Sequence, residues 1–353
     1  MEQTYEKPPE LKVEDFTGNG VAHKETDQDK FLKSILDQAK DYPLPESVIT
    51  LFNNGETIPL LTKKSFSLWQ GKQKSKKTTL LALAIAAYIN PRASGDAIHF
   101  ECGIPGKILF FDTEQGESYA ARTMKLILKL ADLSISPCLI YCDLRQFTPA
   151  ERTGIIQAGI ECTPDVKLIV IDGIVDLLTD FMDAKEGHLS ITNIIRLCSV
   201  HDIHIAGILH QNKADKNARA HVGSISSQKC EIEISTEVDP NDKTQSLVTC
   251  VNSRGMPFQP FAVKWEKGSL PCIVQEWTAE SAADAKADRQ AEKIKEYGKA
   301  VFKPLAALPY TEAIEGLMNI TLKTERTCER YLKMLSAWKL ITKGPDGLYR
   351  LMV

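Results

Sequence analysis

A lysine-rich loop at Gly71–Thr78, Gly-Lys-Gln-Lys-Ser-Lys-Lys-Thr, carries the residues best suited to chemistry. It follows the apolar segment Phe66–Trp69, which predicts a strand, and opens Thr78–Ile89, which predicts a buried helix. In this context backbone N–H groups and the positive end of a helix bind phosphates. The order is similar to G-x-x-x-x-G-K-[ST], in which the lysine contacts the terminal phosphates and the hydroxyl binds Mg²⁺. The loop therefore predicts binding of a nucleoside triphosphate, with ATP and Mg²⁺ as the expected ligands.

Within the Gly71–Thr78 loop, Lys77 is expected to contact the β- and γ-phosphates and Thr78 to bind Mg²⁺. Lys76 departs from the pattern, because it stands where the second glycine belongs. A β-carbon at positive φ costs roughly 1–2 kcal/mol, so we expect a strained or reshaped loop. For this segment alone, the alternative is a lysine-rich surface turn ahead of a core helix. The set expected around the nucleotide is Gly71, Lys72, Gln73, Lys74, Ser75, Lys76, Lys77, Thr78 and Thr79.

Acidic and polar residues follow three further apolar segments, each of which predicts a strand. In chain order they are Asp112 with Glu114, then Asp172, then His210 with Gln211. Asp172 stands where a second Mg²⁺-coordinating carboxylate belongs. Because the carboxyl ends of parallel strands meet in one crevice, we expect these side chains to converge beside the loop.

Apolar segments alternate with segments of helical periodicity between residues 66 and 209. Strands are predicted at Phe66–Trp69, Lys107–Phe111, Cys138–Cys142, Lys167–Asp172 and Ile203–Leu209. Helices are predicted at Thr78–Ile89, Glu117–Leu130, Pro149–Glu161 and Leu189–Val200. Apolar strands separated by helices indicate a mostly parallel sheet covered on both faces, the α/β class. Shorter segments after residue 229 indicate antiparallel strands that extend this sheet.

Four parts are predicted along the chain. Residues 1–44 form a polar arm with a short amphipathic helix at Asp29–Ala39. Residues 45–278 form the α/β domain. Residues 279–300, rich in alanine and charge, form a linker helix, and residues 301–353 form a small terminal domain.

Composition limits the classes of protein. The net charge of −3 argues against general coating of duplex DNA but leaves room for local basic patches. The longest apolar run is too short to span a bilayer, and the amino terminus lacks the pattern of a secretory signal. Nine scattered cysteines without zinc spacing indicate reduced thiols. We therefore expect a cytoplasmic protein without a membrane partner.

The order GKQKSKKT, FFDTEQ, LIVID, LHQNK and HVGS resembles RecA-fold ATPases of the RepA and DnaB replicative-helicase type. It is most similar to the compact versions carried by plasmids and mobile elements, and the resemblance covers residues 45–278. It implies a RecA-like core and a ring of identical subunits, with six as one candidate number. It also implies ATP sites between neighbouring subunits and single-stranded DNA in the centre of the ring.

The resemblance also implies roles for single residues. Glu114 is expected to activate the attacking water, with Asp112 as the alternative, and His210 or Gln211 to sense the γ-phosphate. Arg254 resembles the arginine finger that such rings insert into the neighbouring site; the alternative is an arginine in a β-turn. The loop after Gln211 matches the loop that faces the channel, although a solvated charged loop is the alternative. The residues expected to contact single-stranded DNA there are Lys213, Lys216 and Arg219.

The terminal domain shows the element order of a winged helix: helices at Thr311–Met318 and Thr324–Ala337, then a hairpin with its turn at Gly344–Gly347. The segment resembles the small winged-helix tails of mobile-element ATPases. That resemblance implies contact with duplex DNA, and the alternative is contact with a protein. Helical spacing predicts a buried face formed by Cys328, Tyr331, Leu332 and Leu335. The residues expected to contact DNA are Arg326, Arg330 and Arg350.

Two functions from different classes fit these patterns. The first is a DNA-dependent ATPase, a helicase or helicase-like motor in replication or mobilisation of a mobile element. The second is a DNA-binding regulator or assembly factor that uses ATP as a switch and hydrolyses it poorly. Lys76 favours the second, whereas Glu114 and Arg254 favour the first. A recombination protein that forms filaments rather than rings is a third candidate.

Overall fold

The computed structural model describes residues 26–92, 94–211, 220–240, 242–275, 277, 279–302 and 307–352. The chain separates into two compact units, Met1–Leu44 and Pro45–Val353. The helices are α1 (Asp27–Ser34), α2 (Lys77–Ile89), α3 (Glu117–Leu130), α4 (Pro149–Cys162), α5 (Ala184–His201), α6 (Ala220–Lys229), α7 (Ala279–Val301), α8 (Tyr310–Thr321) and α9 (Glu325–Ala337), with a 3-10 helix at Ile174–Leu177. The strands are β1 (Ser47–Asn53), β2 (Glu56–Thr62), β3 (Ser65–Gly71), β4 (Ile98–Cys102), β5 (Lys107–Asp112), β6 (Leu139–Asp143), β7 (Val166–Asp172), β8 (His204–His210), β9 (Ile232–Val238), β10 (Gln245–Ser253), β11 (Phe261–Lys264), β12 (Cys272–Val274), β13 (Ile341–Lys343) and β14 (Tyr349–Leu351).

The central sheet has nine strands in the described part of the chain, in the order β12-β11-β10-β9-β3-β8-β7-β5-β6. The six strands from β9 to β6 run parallel, and their pairings place Gly71 of β3 opposite His210 of β8, and Asp112 of β5 opposite Asp172 of β7. Helices lie on both faces. The predicted α/β class with a mostly parallel sheet is therefore confirmed, and the strand ends named above lie at one edge.

The alternating residues of β5 explain why its sequence is apolar throughout. Ile108 and Phe110 belong to the core beneath α2, whereas Leu109 and Phe111 belong to the core beneath α4 and α5. A strand covered on both faces must present apolar side chains to both, so the period-two signal of a half-exposed strand is lost. This arrangement places α2 on one face of the sheet and α4 and α5 on the other.

The expectation that all strands after residue 229 are antiparallel is wrong for β9. β9 pairs in parallel with β3, with Thr236 opposite Gly71, whereas β10, β11 and β12 pair antiparallel. The reason is α6, which separates β8 from β9 in the chain. A helical crossover returns the chain to the end of the sheet where the neighbouring strand began, so the two strands run parallel. A tight turn instead reverses the direction of the chain.

A second sheet, in the order β2-β1-β4, was not predicted. Its hairpin turns at Asn54 and Gly55, whose φ angles are +52° and +88°. Positive φ at both central positions is the geometry of a type I′ turn, for which Asn-Gly is the preferred sequence. The signal was therefore present in the sequence between two apolar segments.

Two helix boundaries differ from the prediction. α5 begins at Ala184 rather than Leu189, since the Asp183 carboxylate accepts the N–H groups of Lys185 and Glu186. An N-cap carboxylate satisfies donors that the first helical turn leaves unpaired. α1 ends at Ser34 rather than Ala39, because Ile35 has extended backbone angles.

Residues 279–352 form a small α-helical region with a hairpin, as far as they are described. β13 and β14 pair antiparallel, and Leu308 pairs with Tyr349 beside them. The face of α9 predicted from helical spacing (Cys328, Tyr331, Leu332 and Leu335) is buried, against Phe302 and Leu317 among others. No helix among the described residues has the length and apolarity needed to cross a membrane.

Candidate functional site

The Gly71–Thr78 loop connects the end of β3 to the start of α2 at the carboxyl edge of the parallel strands. Gly71 lies so close to β9 that a Cβ there would be 2.4 Å from the Thr236 carbonyl oxygen. Ser75 is buried, and its hydroxyl lies 2.8 Å from the hydroxyl of Thr236. The loop is therefore anchored to β9, and any side chain larger than glycine at position 71 would displace it.

Lys76 has the backbone conformation expected of the missing glycine, with φ of 68° and ψ of 28°. Its ammonium donates a 2.6 Å hydrogen bond to the carbonyl oxygen of Thr244, which also accepts the N–H of Trp265 at 2.8 Å. Burial lowers the pKa of Lys76. The loop thus keeps the left-handed position that the pattern requires, and its lysine side chain is engaged at the start of β10.

Lys77 is buried beside the loop backbone. Its ammonium donates to the carbonyl oxygens of Gly71 at 2.9 Å and Lys72 at 3.2 Å, and lies 3.1 Å from Nδ1 of His210. Burial lowers the pKa of Lys77, although the carboxylates of Asp172 and Glu114 oppose that effect. These bonds hold the ammonium at the mouth of the loop with partners that an anionic ligand can replace.

Thr78 and Asp172 meet at the start of α2. The Thr78 hydroxyl donates a 2.9 Å hydrogen bond to Oδ2 of Asp172, which is almost fully buried. Burial raises the pKa of Asp172 to about 7, and repulsion from Asp112 and Glu114 adds to this effect. A cation next to Asp172 would therefore stabilise its ionised form.

Glu114 and His210 form a pair next to Lys77. Nε2 of His210 lies 3.0 Å from a carboxylate oxygen of Glu114, so the ring donates there and accepts from the Lys77 ammonium with Nδ1. This hydrogen bond is the main reason why the pKa of Glu114 is lowered. An ionised carboxylate that remains partly open to solvent suits a general base.

Asp112, the alternative to Glu114, is fully buried and already engaged. It accepts the N–H groups of Glu114 at 3.2 Å and Gln115 at 2.8 Å, and the hydroxyl of Tyr141 at 2.9 Å. Burial raises its pKa. Asp112 thus holds the turn that carries Glu114, and its place in the structure favours Glu114 as the base.

Three residues that the sequence did not single out support Glu114 from the side of β7. The buried Thr113 hydroxyl lies 2.8 Å from both the Asp172 carbonyl oxygen and Oδ2 of Asp176. Gly173 has a φ of +105°, and a Cβ there would lie 2.3 Å from Oγ1 of Thr113 and 2.9 Å from Cγ of Glu114. The glycine directly after the strand-end aspartate was the available signal for this close approach.

Gln211 does not share the position of His210. Its side chain is buried and donates to the Ser235 hydroxyl of β9 at 3.3 Å, across the end of β3. Of the two sensor candidates, His210 is therefore the one next to Glu114 and Lys77. The side chains of Lys72, Gln73 and Lys74 are exposed on the loop, and Thr79 is half-buried on α2.

The remaining predicted residues lie away from this cluster. Arg254 follows β10 at the amino edge of the sheet, where its N–H donates to the Glu231 carbonyl oxygen at 2.8 Å. Arg326 and Arg330 are exposed on α9, whereas Arg350 forms a two-pronged ion pair with Asp346 in the hairpin. The three residues expected in the channel loop, Lys213, Lys216 and Arg219, lie outside the described residues.

A groove of about 800 Å³ opens next to the loop, between α3 and the segment after β11. Thr78 and Thr79 form its inner end, and Tyr119 and Trp265 lie along it. Both rings are exposed to a large extent, 65% for Tyr119 and 43% for Trp265. Arg122, a cation on α3, also borders it. The groove is thus an aromatic and positively charged continuation of the loop.

The protein residues fit a Mg²⁺ ion that arrives with a phosphate ligand. Thr78 and Asp172 present hard oxygen atoms 2.9 Å apart, and the pKa of Asp172 is raised in spite of the positive charge of Lys77. Among the described residues, no three His, Cys, Asp or Glu side chains cluster as a complete metal site. Mg²⁺ characteristically takes one or two protein ligands together with substrate phosphates and water.

The amino-acid sequence matches no protein-family model. No curated protein sequence is significantly similar to it.

Proposed function

We propose that this protein is a RecA-like P-loop ATPase that binds ATP with Mg²⁺ at the Gly71–Thr78 loop. The observation that carries the proposal is the convergence of Lys77, Thr78, Asp172 and Glu114 at one edge of the parallel strands. These residues come from two strand ends and one helix start, and their chemistry is that of phosphate, metal and water binding. The motif order and the mostly parallel sheet support the same conclusion.

In this proposal the β- and γ-phosphates take over the hydrogen bonds that Lys77 now makes to Gly71, Lys72 and His210. The backbone N–H groups at the start of α2 add a fixed positive potential. Mg²⁺, held by Thr78 and Asp172, would neutralise charge on the β- and γ-phosphates. Glu114 orients the attacking water and accepts its proton, because the lowered pKa of Glu114 keeps its carboxylate ionised.

His210 couples these two groups. Nδ1 of His210 accepts a hydrogen bond from Lys77, and Nε2 donates one to Glu114, so both functional side chains are bound to the same ring. A γ-phosphate that draws Lys77 away removes one of the two bonds, and the ring is then free to reorient. We therefore assign to His210 the sensing of the γ-phosphate.

Arg254 suits a role in a neighbouring copy better than in its own. It lies beside Glu231, whose N–H donates to the Phe66 carbonyl oxygen near the start of β3, while the loop begins at Gly71. Five residues of strand span about 17 Å, which is beyond the reach of an arginine side chain. An assembly in which one copy supplies Arg254 to the next, such as a ring, is part of the proposal.

The terminal region supports a winged helix that contacts duplex DNA. α8, α9, the β13–β14 hairpin and the Leu308–Tyr349 bridge have its element order. Arg326 and Arg330 lie four residues apart on the exposed side of α9. Motif order supports contact between single-stranded DNA and the loop that follows Gln211. Together these features suit a DNA-dependent motor of the helicase type.

A regulator that binds ATP as a switch is the second candidate. The observation that favours it is Lys76, whose left-handed backbone is strained and whose side chain ties the loop to Thr244. A loop that resists movement suits slow turnover better than it suits the repeated cycles of a motor.

ATP turnover with and without single-stranded DNA, together with the mass in solution, separates these functions. A motor predicts turnover stimulated by DNA and a multimer; a switch predicts nucleotide binding with negligible turnover. Failure to bind ATP and Mg²⁺ at all would refute both.

A further inference from the structure

We infer that the groove beside the Gly71–Thr78 loop is a nucleobase site that holds the base by stacking and does not select which base it is. The inference rests on the proposed function, because a triphosphate must lie on the loop for the base to reach the groove. It adds the substrate class: nucleoside 5′-triphosphates in general rather than ATP alone.

Continuity is the first argument. Thr78 and Thr79 belong both to the start of α2 and to the inner end of the groove. A nucleotide with its terminal phosphates at Lys77 and Thr78 extends its sugar and base away from the loop, and the groove is the adjoining space. Its volume of about 800 Å³ lies within the range for small-molecule sites.

The exposed aromatic rings are the second argument. Tyr119 on α3 and Trp265 after β11 lie far apart in the chain, and both line this groove with large exposed surfaces. Every base has a flat face that stacks on such rings, so stacking tolerates all sequences. Thr244 anchors the Trp265 segment, since its carbonyl oxygen accepts both the Trp265 N–H and the Lys76 ammonium.

The polar lining is the third argument, since it offers little to read a base edge. Strong discrimination requires buried polar groups that the wrong base leaves unpaired. Gln115 and Thr123 are only half-buried and lie within 3.5 Å of each other, and Ser269 and the cations Arg122, Lys125 and Lys129 are exposed. Among the described residues, the buried side-chain atoms without a hydrogen-bond partner belong to residues outside the groove: Gln70, Tyr88, Gln211 and Ser246.

The test measures binding of ATP, GTP, CTP and UTP, with Mg²⁺, and of inorganic tripolyphosphate to the full chain. Calorimetry on the unmodified protein, Trp265→Ala, Trp265→Phe and Tyr119→Ala gives the affinities. We expect the four nucleotides to bind within about tenfold of one another. Trp265→Ala should weaken all four by about tenfold or more and leave tripolyphosphate unchanged, whereas Trp265→Phe should retain most of the affinity. Tyr119→Ala should act in the same direction.

Tryptophan fluorescence supplies a second readout. Of the four tryptophans in the chain, Trp265 is the one that lines the groove, so its signal is the one expected to change with nucleotide. Quenching by ATP that disappears in Trp265→Phe supports the site, even if Trp265→Ala fails to fold.

Three results would overturn the inference. Unchanged nucleotide affinity in both Trp265→Ala and Tyr119→Ala would place the base elsewhere while leaving the proposed function intact. Preference for one base by more than about a hundredfold would refute stacking without selection. Binding of neither ATP nor tripolyphosphate by the unmodified protein would refute the proposed function, and the nucleobase site with it.

Discussion

Replacement of Lys76 by glycine and by alanine tests whether the loop is strained and whether the Lys76 hydrogen bond compensates for it. Both substitutions remove the 2.6 Å bond to the Thr244 carbonyl oxygen, but only glycine relaxes the backbone at φ of 68°. A hydrogen bond of this kind contributes about 1 kcal/mol when it is partly open to solvent. Lys76→Ala should therefore lower the free energy of unfolding by about 1 kcal/mol.

Glycine changes two further terms. A non-glycine residue in the left-handed region costs roughly 1–2 kcal/mol, and glycine removes that cost. It also raises the entropy of the unfolded chain, which costs about 0.4–1 kcal/mol. The net gain of about 1 kcal/mol offsets the lost hydrogen bond, so Lys76→Gly should be as stable as the unmodified protein. Position 76 is also the N-cap of α2, where glycine is better than alanine, which acts in the same direction.

Urea denaturation followed by circular dichroism measures these differences, provided that the slope with urea is the same in all variants. Lys74 is the matched control. Its φ is 64°, and its ammonium has no partner among the described residues. Lys74→Gly should therefore stabilise by about 0.5–1 kcal/mol, and Lys74→Ala should change little. Equal stability of Lys76→Gly and Lys76→Ala would refute the strain, and full stability of Lys76→Ala would refute the hydrogen bond.

Four further outcomes are expected. Lys77→Ala should abolish binding of ATP and tripolyphosphate, whereas Lys74→Ala should not; the reverse would mean that the phosphate lysine is misassigned. Glu114→Gln should bind ATP normally but turn it over about a hundredfold more slowly, and unchanged turnover would remove Glu114 as the base. Burial lowers the pKa of His204 from 6.5 to about 4, so the unfolded chain takes up the proton first as the pH falls. The contribution of His204 to the free energy of unfolding should therefore be constant above pH 6.5 and fall by up to about 3 kcal/mol towards pH 4. Because the raised pKa of Asp172 acts in the opposite direction over the same range, the His204 contribution is measured as the difference between the unmodified protein and His204→Gln. A chain that ends near Glu280 should still bind single-stranded DNA, with an affinity that falls steeply with salt; if it binds no DNA, the channel assignment fails.

Much of the α/β domain followed from local patterns. α3 runs from Glu117 to Leu130 as predicted, and the five strands from β3 to β8 apart from β4 were each placed within two residues of their observed ends. Local patterns suffice here because a strand buried on both faces needs an unbroken apolar run, and a helix needs its own periodicity. The antiparallel hairpin of β1 and β2 was missed although its Asn-Gly turn is equally local.

The residues of the candidate site could be predicted from the sequence where they lie at strand ends. Glu114, Asp172 and His210 each follow an apolar strand, and parallel strands bring their carboxyl ends to one edge. The sequence could not predict which of two neighbouring residues, His210 or Gln211, faces the site. His210 reaches Glu114 while Gln211 packs towards Ser235, because successive side chains at a strand end point to opposite sides.

The sequence by itself determined which segments form the sheet and its covering helices, and which residues stand at its carboxyl edge. Only the tertiary structure decided the parallel pairing of β9 with β3, the contact of Lys76 with Thr244, and the groove between Tyr119 and Trp265. The physical reason is the distance along the chain. Each of these contacts joins segments that are far apart in sequence and is fixed by how the whole core packs, whereas periodicity and capping report only on near neighbours.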